Sequence, residues 1–239
     1  MIIPQPFSQK LEGDFFMPRT ARIVIPGYLH HVTQRGNYRQ NVFEEDQDRV
    51  TYLKYIEEKS QKYEVDIYAF CLMDNHVHFL VKPRRESSMG CLFQTAHMKY
   101  SQYYNRKKYQ KGHLWQGRFY SCLVSGAHIE RVFRYIENNP VRAGITEKAW
   151  QYSWSSARAH LGKQYNVIRL ADAKEYLSID SWREYLRGRE DDEFLKEIRD
   201  QTRKGLMLAP KSFVDRIEKK LCVKIVRNPP GRPKKCVCP

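Results

Sequence analysis

Long apolar runs are missing from this chain. No stretch approaches the ~20 consecutive apolar residues that cross a bilayer, and the first apolar segment is short and interrupted by proline. Neither a membrane-spanning helix nor a secretory signal is therefore expected. Acidic residues are scarce: 27 Asp and Glu stand against 42 Lys and Arg, giving a net charge of +15 and a pI of about 9.5. An imbalance of that size points to a polyanionic partner. Paired cysteine spacings are absent as well. The six cysteines are scattered, and Cys236-Val237-Cys238 lacks the two-residue spacer of a zinc knuckle, so they read as reduced thiols of an intracellular protein. With 12 glycines, nothing resembles a glycine-rich nucleotide-binding loop.

The 239 residues are 41% hydrophobic, enough for one ordinary domain with an appendage or for two small domains. Sixteen tyrosines suit either base stacking beside basic groups or simple core packing. Residues 1–16 are a polar leader to which no function is assigned. A first strand is expected over residues 21–34, broken by Pro26-Gly27. Helices follow over 44–62, 88–108 and 127–138, the last stopped by Pro140. Between the first two lies a hairpin, 65–73 and 76–82, turned by Asp74-Asn75. A fourth strand spans 119–124. This order matches a split β-α-β unit: an α+β fold with a four-stranded antiparallel sheet, helices on one face, and the first and His-bearing strands central.

The domain boundaries expected are 17–165 for the core, 166–225 for a helical basic extension and 226–239 for a flexible basic tail. Residues 201–239 carry 11 Lys and Arg against 2 Asp and Glu, so nine of the fifteen surplus charges sit there. Gly231-Arg232-Pro233 is similar to arms that enter the minor groove of A·T-rich DNA, with Arg232 the inserted cation; the alternative is nonspecific affinity alone.

The richest stretch is Asp74-Asn75-His76-Val77-His78-Phe79-Leu80-Val81. Residues two apart on a strand share a face, so His76 and His78 present two imidazoles side by side. That pair is either half of a divalent metal site or two surface histidines. His30-His31 adds imidazole nearby, but adjacent residues face opposite ways, so at most one can join. Tyr135 and Asn139, at i and i+4, stack on one helical face. If that face meets the histidines, the Asn139 amide oxygen is a third ligand and Tyr135 a nucleophile, which a metal or base must activate. Otherwise Tyr135 packs in the core and Asn139 caps the helix. An HNH reading of Asp74-Asn75-His76 fails, because that motif needs a strand-helix metal frame.

The hairpin 71–80, together with Pro26-Gly27-Tyr28-Leu29-His30-His31-Val32-Thr33-Gln34-Arg35-Gly36, Leu114-Trp115-Gln116-Gly117-Arg118-Phe119 and Tyr135-Ile136-Glu137-Asn138-Asn139-Pro140-Val141-Arg142-Ala143-Gly144, resembles the HUH single-tyrosine transposases. Within them it is most similar to the REP-associated branch, over roughly residues 18–161. The resemblance implies a tyrosine transposase acting on single-stranded DNA beside hairpins or REP-like palindromes. It implies Tyr135 as catalytic residue, forming a 5′-phosphotyrosine, and His76, His78 and Asn139 as ligands of Mg²⁺ or Mn²⁺. Many family members carry Gln where this chain has Asn139, a ligand shorter by one methylene. Lys99, Trp115, Arg118 and Arg142 are expected DNA contacts, each against a plain alternative: a solvated charge or, for Trp115, a core plug. His113 and His128 are expected bystanders, with Tyr103 or Tyr104 the next candidate nucleophiles. The expected location is the cytoplasm, at the bacterial nucleoid, and the expected state a monomer or homodimer. The rival readings are a non-cleaving hairpin-binding regulator on the same fold and a plasmid-type nickase.

Overall fold

The computed structural model describes residues 22–163 and 167–221. The first strand, β1 (Leu29–Arg35), begins later than the pattern predicts, because Pro26 and Gly27 form a turn in which Gly27 has φ +80°. Helix α1 (Asp46–Lys62) follows, its N-terminus closed by a reciprocal Glu45–Asp48 capping box. Strands β2 (Val65–Met73) and β3 (His76–Pro83) form the expected hairpin. Then come α2 (Ser88–Lys107), β4 (Tyr120–Val124), α3 (His128–Glu137) and the short α4 (Asn139–Arg142) and α5 (Ala157–His160). The C-terminal part adds α6 (Trp182–Arg187), α7 (Asp192–Lys204), β5 (Met207–Leu208) and α8 (Lys211–Leu221).

The α+β architecture is as expected, with β3 and β1 inside the sheet, and two particulars differ. The sheet has five strands in the order β2-β3-β1-β4-β5, the last parallel to β4 through Leu123–Met207 and Val124–Leu208. A two-residue strand is too short to leave a period-two signal in sequence. Helices also cover both faces. Val32, Phe70, Leu72, Val77, Phe79 and Val81 pack with α1 and α2. Leu29, Tyr68, Ala69, Cys71 and Leu80 pack with α3 and α7. The apolar run of β2 is what a strand covered on both sides requires. A bulge between Ile67 and Ala69 turns Tyr68 and Ala69 to the same face.

The region expected as an extension is thus joined to the sheet: β5 extends it, and α7 packs against β4 and β1. The tail 226–239, including Arg232, lies outside the described residues. Among the described residues, no helix is long and apolar enough to cross a membrane.

Candidate active site

The Asp74-Asn75 turn that launches β3 is pinned from several sides. Val42 and Phe43 donate their N–H groups to the Asp74 carbonyl at 2.7 and 3.1 Å, and the Arg49 guanidinium pairs with the Asp74 carboxylate. Gly36 N–H donates to the Asn75 carbonyl at 2.9 Å. That approach needs glycine, since a Cβ at position 36 would drive into the Gln40 carbonyl oxygen. His76 is therefore held at the start of a fixed strand, and His78 follows on the same face.

Register brings a third imidazole to them. Thr33 pairs with His78 and His31 with Leu80, which makes His31 and His78 diagonal neighbours on one face. His31 Nε2 lies 2.9 Å from His78 Nδ1, and His31 Nδ1 lies 2.8 Å from Thr202 Oγ1 on α7. Of the adjacent histidines, His31 is the one that joins the pair.

The other wall of the site is α3. Its Tyr135 ring meets the His78 and His31 rings edge-on, at centroid distances of 5.6 and 5.7 Å, and His78 lies 5.1 Å from the His76 ring. Tyr135 is 4% exposed, and its hydroxyl makes no hydrogen bond among the described residues. The Arg142 guanidinium sits 4.3 Å from the Tyr135 ring centroid and donates to the Tyr135 carbonyl at 2.7 Å. Asn139 Nδ2 donates to that same carbonyl at 3.2 Å and to Ile136 O at 3.3 Å. Contacts from the C-terminal part hold α3 in this place. Arg131 pairs with Glu190 and Asp191, and Trp182 Nε1 donates to Glu137 at 2.7 Å. Glu137 itself is fully buried and also accepts from Ser156 at 2.5 Å.

The electrostatics favour neutral imidazoles. Burial, then the positive charges of Arg35 and Arg142, lowers the His76 pKa to about 4. Burial and Arg142 bring His31 to about 3, and burial with the neighbouring imidazoles pushes His78 well below its usual value. Neutral imidazoles are the form that binds a metal. The donor set fits such an ion. His76 Nδ1 is engaged by Asn75 Oδ1 at 2.6 Å and His78 Nδ1 by His31, which leaves both Nε2 atoms without hydrogen-bond partners among the described residues. Asn139 likewise spends its amide nitrogen on the helix and keeps Oδ1. No cluster of three or more His, Cys, Asp or Glu side chains is arranged for a metal among the described residues; the expected set has only two such members.

The remaining expected contacts lie elsewhere. Trp115 is 7% exposed, packs against His97, Tyr52 and Tyr100, and donates Nε1–H to the His97 carbonyl at 3.3 Å. That is the core plug, on the α1–α2 side of the sheet. Its edge, with exposed Arg118, lines a cleft of about 500 Å³ along α2. Lys99 is paired with Glu58 at 3.3 Å. Tyr103 and Tyr104, the fallback nucleophiles, bond to Asp48 and to the Asn41 carbonyl on that same side. His113 is exposed in the α2–β4 loop, and His128 Nδ1 lies 3.3 Å from the Ser125 carbonyl. What sequence reasoning missed is Thr202, 171 positions from its partner His31, and the stacking of Arg142 on Tyr135. No local pattern marks either.

A sheet strand carrying two same-face imidazoles, faced by a tyrosine from a separate helix, is the arrangement that the resemblance to the HUH single-tyrosine transposases implies. Residues 25–139 match the family described as Transposase IS200 like. The chain is similar to a Haemophilus influenzae protein described as a REP-associated tyrosine transposase, 24% identical over 149 residues, spanning 54% of this chain and 85% of that one. A solved structure of a REP-associated tyrosine transposase bound to a REP hairpin shares the fold. Its TM-score is 0.50 at 17% identity, over 65% of this chain and 93% of that one.

Proposed function

We propose that this chain is a metal-dependent, sequence-specific single-stranded DNA endonuclease and strand transferase acting beside hairpins of palindromic repeats. One observation carries the reading: the Tyr135 ring stands 5.6 Å from His78 and 5.7 Å from His31 within a single chain. The structural relative with a REP hairpin bound supports the substrate class, and the net charge of +15 suits it.

In this reading Tyr135 Oη adds to the phosphorus of the scissile phosphodiester, and the phenolic proton passes to water. The P–O3′ bond breaks, and the departing 3′-oxygen takes up a proton. The products are a 5′-phosphotyrosine and a free 3′-hydroxyl. Attack by a 3′-hydroxyl on the phosphotyrosine reverses the step, and a hydroxyl from another strand completes transfer. His76, His78 and Asn139 would hold Mg²⁺ or Mn²⁺, which supplies Lewis-acid stabilisation of charge on the phosphate. Arg142 keeps positive charge beside the Tyr135 ring. Arg118, without an ion pair among the described residues, Lys99, Trp115 through its exposed edge, and Arg232 are the further proposed DNA contacts.

The burial of Tyr135 favours a second reading, a regulator that binds hairpins without cutting them. Incubation with hairpin-bearing single-stranded DNA and Mn²⁺ separates the two. The wild type is expected to form a covalent adduct that survives denaturing electrophoresis, and Tyr135→Phe to form none. Hairpin binding without any wild-type adduct would sink the enzyme reading and leave the regulator. Adduct retained by Tyr135→Phe would move the nucleophile to another tyrosine.

A further inference from the structure

Behind His78 runs a chain of hydrogen bonds that leaves the matched transposase segment altogether. His78 Nδ1 and His31 Nε2 are 2.9 Å apart, His31 Nδ1 and Thr202 Oγ1 2.8 Å, and Thr202 Oγ1 and Cys122 Sγ 3.2 Å. The two imidazole planes differ by 7° at a centroid separation of 5.2 Å. That separation equals the N···N distance plus the two ring radii. The rings therefore lie edge to edge in one plane, the arrangement that directs an N–H along a nitrogen lone pair. His31, His78, Cys122 and Thr202 are all buried, so water does not compete for these bonds.

A neutral imidazole carries one N–H, and the bond made by one nitrogen decides which atom bears it. Two polarities satisfy the chain. In one, Thr202 donates to His31 Nδ1 and His31 Nε2–H donates to His78 Nδ1. His78 then carries its proton on Nε2 and has no lone pair to offer there. In the other, His78 Nδ1–H donates to His31 Nε2, His31 Nδ1–H donates to Thr202 Oγ1, and the threonine hydroxyl turns toward Cys122 Sγ. Only this second polarity frees the Nε2 lone pair of His78. A hydroxyl at position 202 can accept at that end, which valine cannot.

We infer that His31 and Thr202 are positioning residues that fix the His78 tautomer with its Nε2 lone pair facing the divalent cation. The inference rests on the reading of His78 as a metal ligand. It also means that α7, outside residues 25–139, completes the site. The C-terminal part is then more than a DNA-binding appendage, because the His78 ligand atom is set from it.

Calorimetric titration of the full chain with Mn²⁺, without DNA, tests this. Outer partners of metal-bound histidines typically contribute 10–100-fold in affinity. Thr202→Val and His31→Phe are each expected to weaken Mn²⁺ binding at least about tenfold, Thr202→Ser to retain wild-type affinity, and His78→Ala to abolish binding. Wild-type affinity in Thr202→Val and His31→Phe, with binding lost in His78→Ala, would overturn the positioning role alone. Undiminished binding in His78→Ala would overturn the ligand reading beneath it. Should a variant fail to fold, the long-range ¹⁵N–¹H spectrum of the wild type with Mg²⁺ decides independently: the proton on His78 Nδ1 supports the inference, and the proton on Nε2 refutes it.

Discussion

His30 and His31 are neighbours in sequence, buried to the same degree, and lie on opposite faces of one strand. His30 has nothing left to offer. Its Nδ1 donates to the Tyr28 carbonyl at 2.9 Å, and its Nε2 accepts from Ile25 N–H at 3.3 Å. His31 bonds to a histidine and a threonine instead, so its protons are set by a network that ends at the unbonded Nε2 of His78. The α1–α2 face repeats the pattern of His30. There His97 meets Tyr52, Phe93 and Trp115, and its Nε2 lies 2.9 Å from the Tyr52 hydroxyl. Burial is the largest cause lowering the pKa of His30, His31 and His97 alike, with Arg142 adding to it at His31. Chemistry follows from what each imidazole faces: carbon rings and backbone on one side, other imidazoles and a tyrosine on the other.

The largest contrast between the faces is expected from Phe79→Ala and Tyr135→Phe. Phe79 is fully buried between Tyr52, Phe70 and Phe93. Its truncation should lower stability in denaturant by about 3–5 kcal/mol. Tyr135→Phe removes a hydroxyl that makes no hydrogen bond among the described residues, so it should change stability by less than about 1 kcal/mol while abolishing the covalent adduct. Equal destabilisation by the two changes would show Tyr135 to be ordinary core and would erase the distinction.

Much of this division was legible before the fold was in hand, because its ingredients are local. The His76–His78 pair depends only on strand periodicity, and Tyr135–Asn139 only on helical periodicity. Which face of β1 turns to them is not local. Alternation says that His30 and His31 diverge, yet only pairing with β3 selects His31. The continuous apolar run of β2 carried the sign that helices cover both faces, a sign that an antiparallel hairpin tends to mask. Thr202 could not be found at all, since its partnership needs α7 laid against β4 and β1. Trp115 had two readings in sequence, and only the fold supplies the ring of Tyr52, His97 and Tyr100 that packs around it while its edge lines the cleft.

An intermediate effect is expected from acid. Burial holds the His30 pKa at about 4 and the His97 pKa at about 3, whereas an unfolded histidine titrates near about 6.5. Between those values the unfolded chain binds protons that the folded chain refuses. Stability is therefore complete above about pH 6.5 and falls as pH drops toward 4, by up to about 3 kcal/mol per histidine. Urea unfolding of the metal-free protein from pH 7.5 to 4.5 measures the loss. His97→Gln keeps a polar partner for Tyr52 and should remove one histidine's share of the acid slope. An identical slope in that variant would mean that His97 takes up its proton while folded, and the α1–α2 face would be wetter than its aromatic packing implies.

The smallest effect falls on Lys99. Its ammonium lies 3.3 Å from both Glu58 carboxylate oxygens and 5.7 Å from the Tyr55 ring centroid. Glu58 in turn also pairs with Lys59 at 2.5 Å, so the cluster keeps one cation when Lys99 is lost. Lys99→Ala should thus change stability by less than about 0.5 kcal/mol. Its bearing on DNA is sharper than its size. Each phosphate neutralised by a lysine adds about 0.7 to the salt slope for single-stranded DNA and about 0.9 for duplex. A slope lowered by that amount in Lys99→Ala would show the lysine leaving Glu58 for a phosphate, and would put DNA on the face that otherwise only stabilises. An unchanged slope, with Arg118→Ala lowering it, would place the contact at the loop cleft instead and leave the α1 surface to packing.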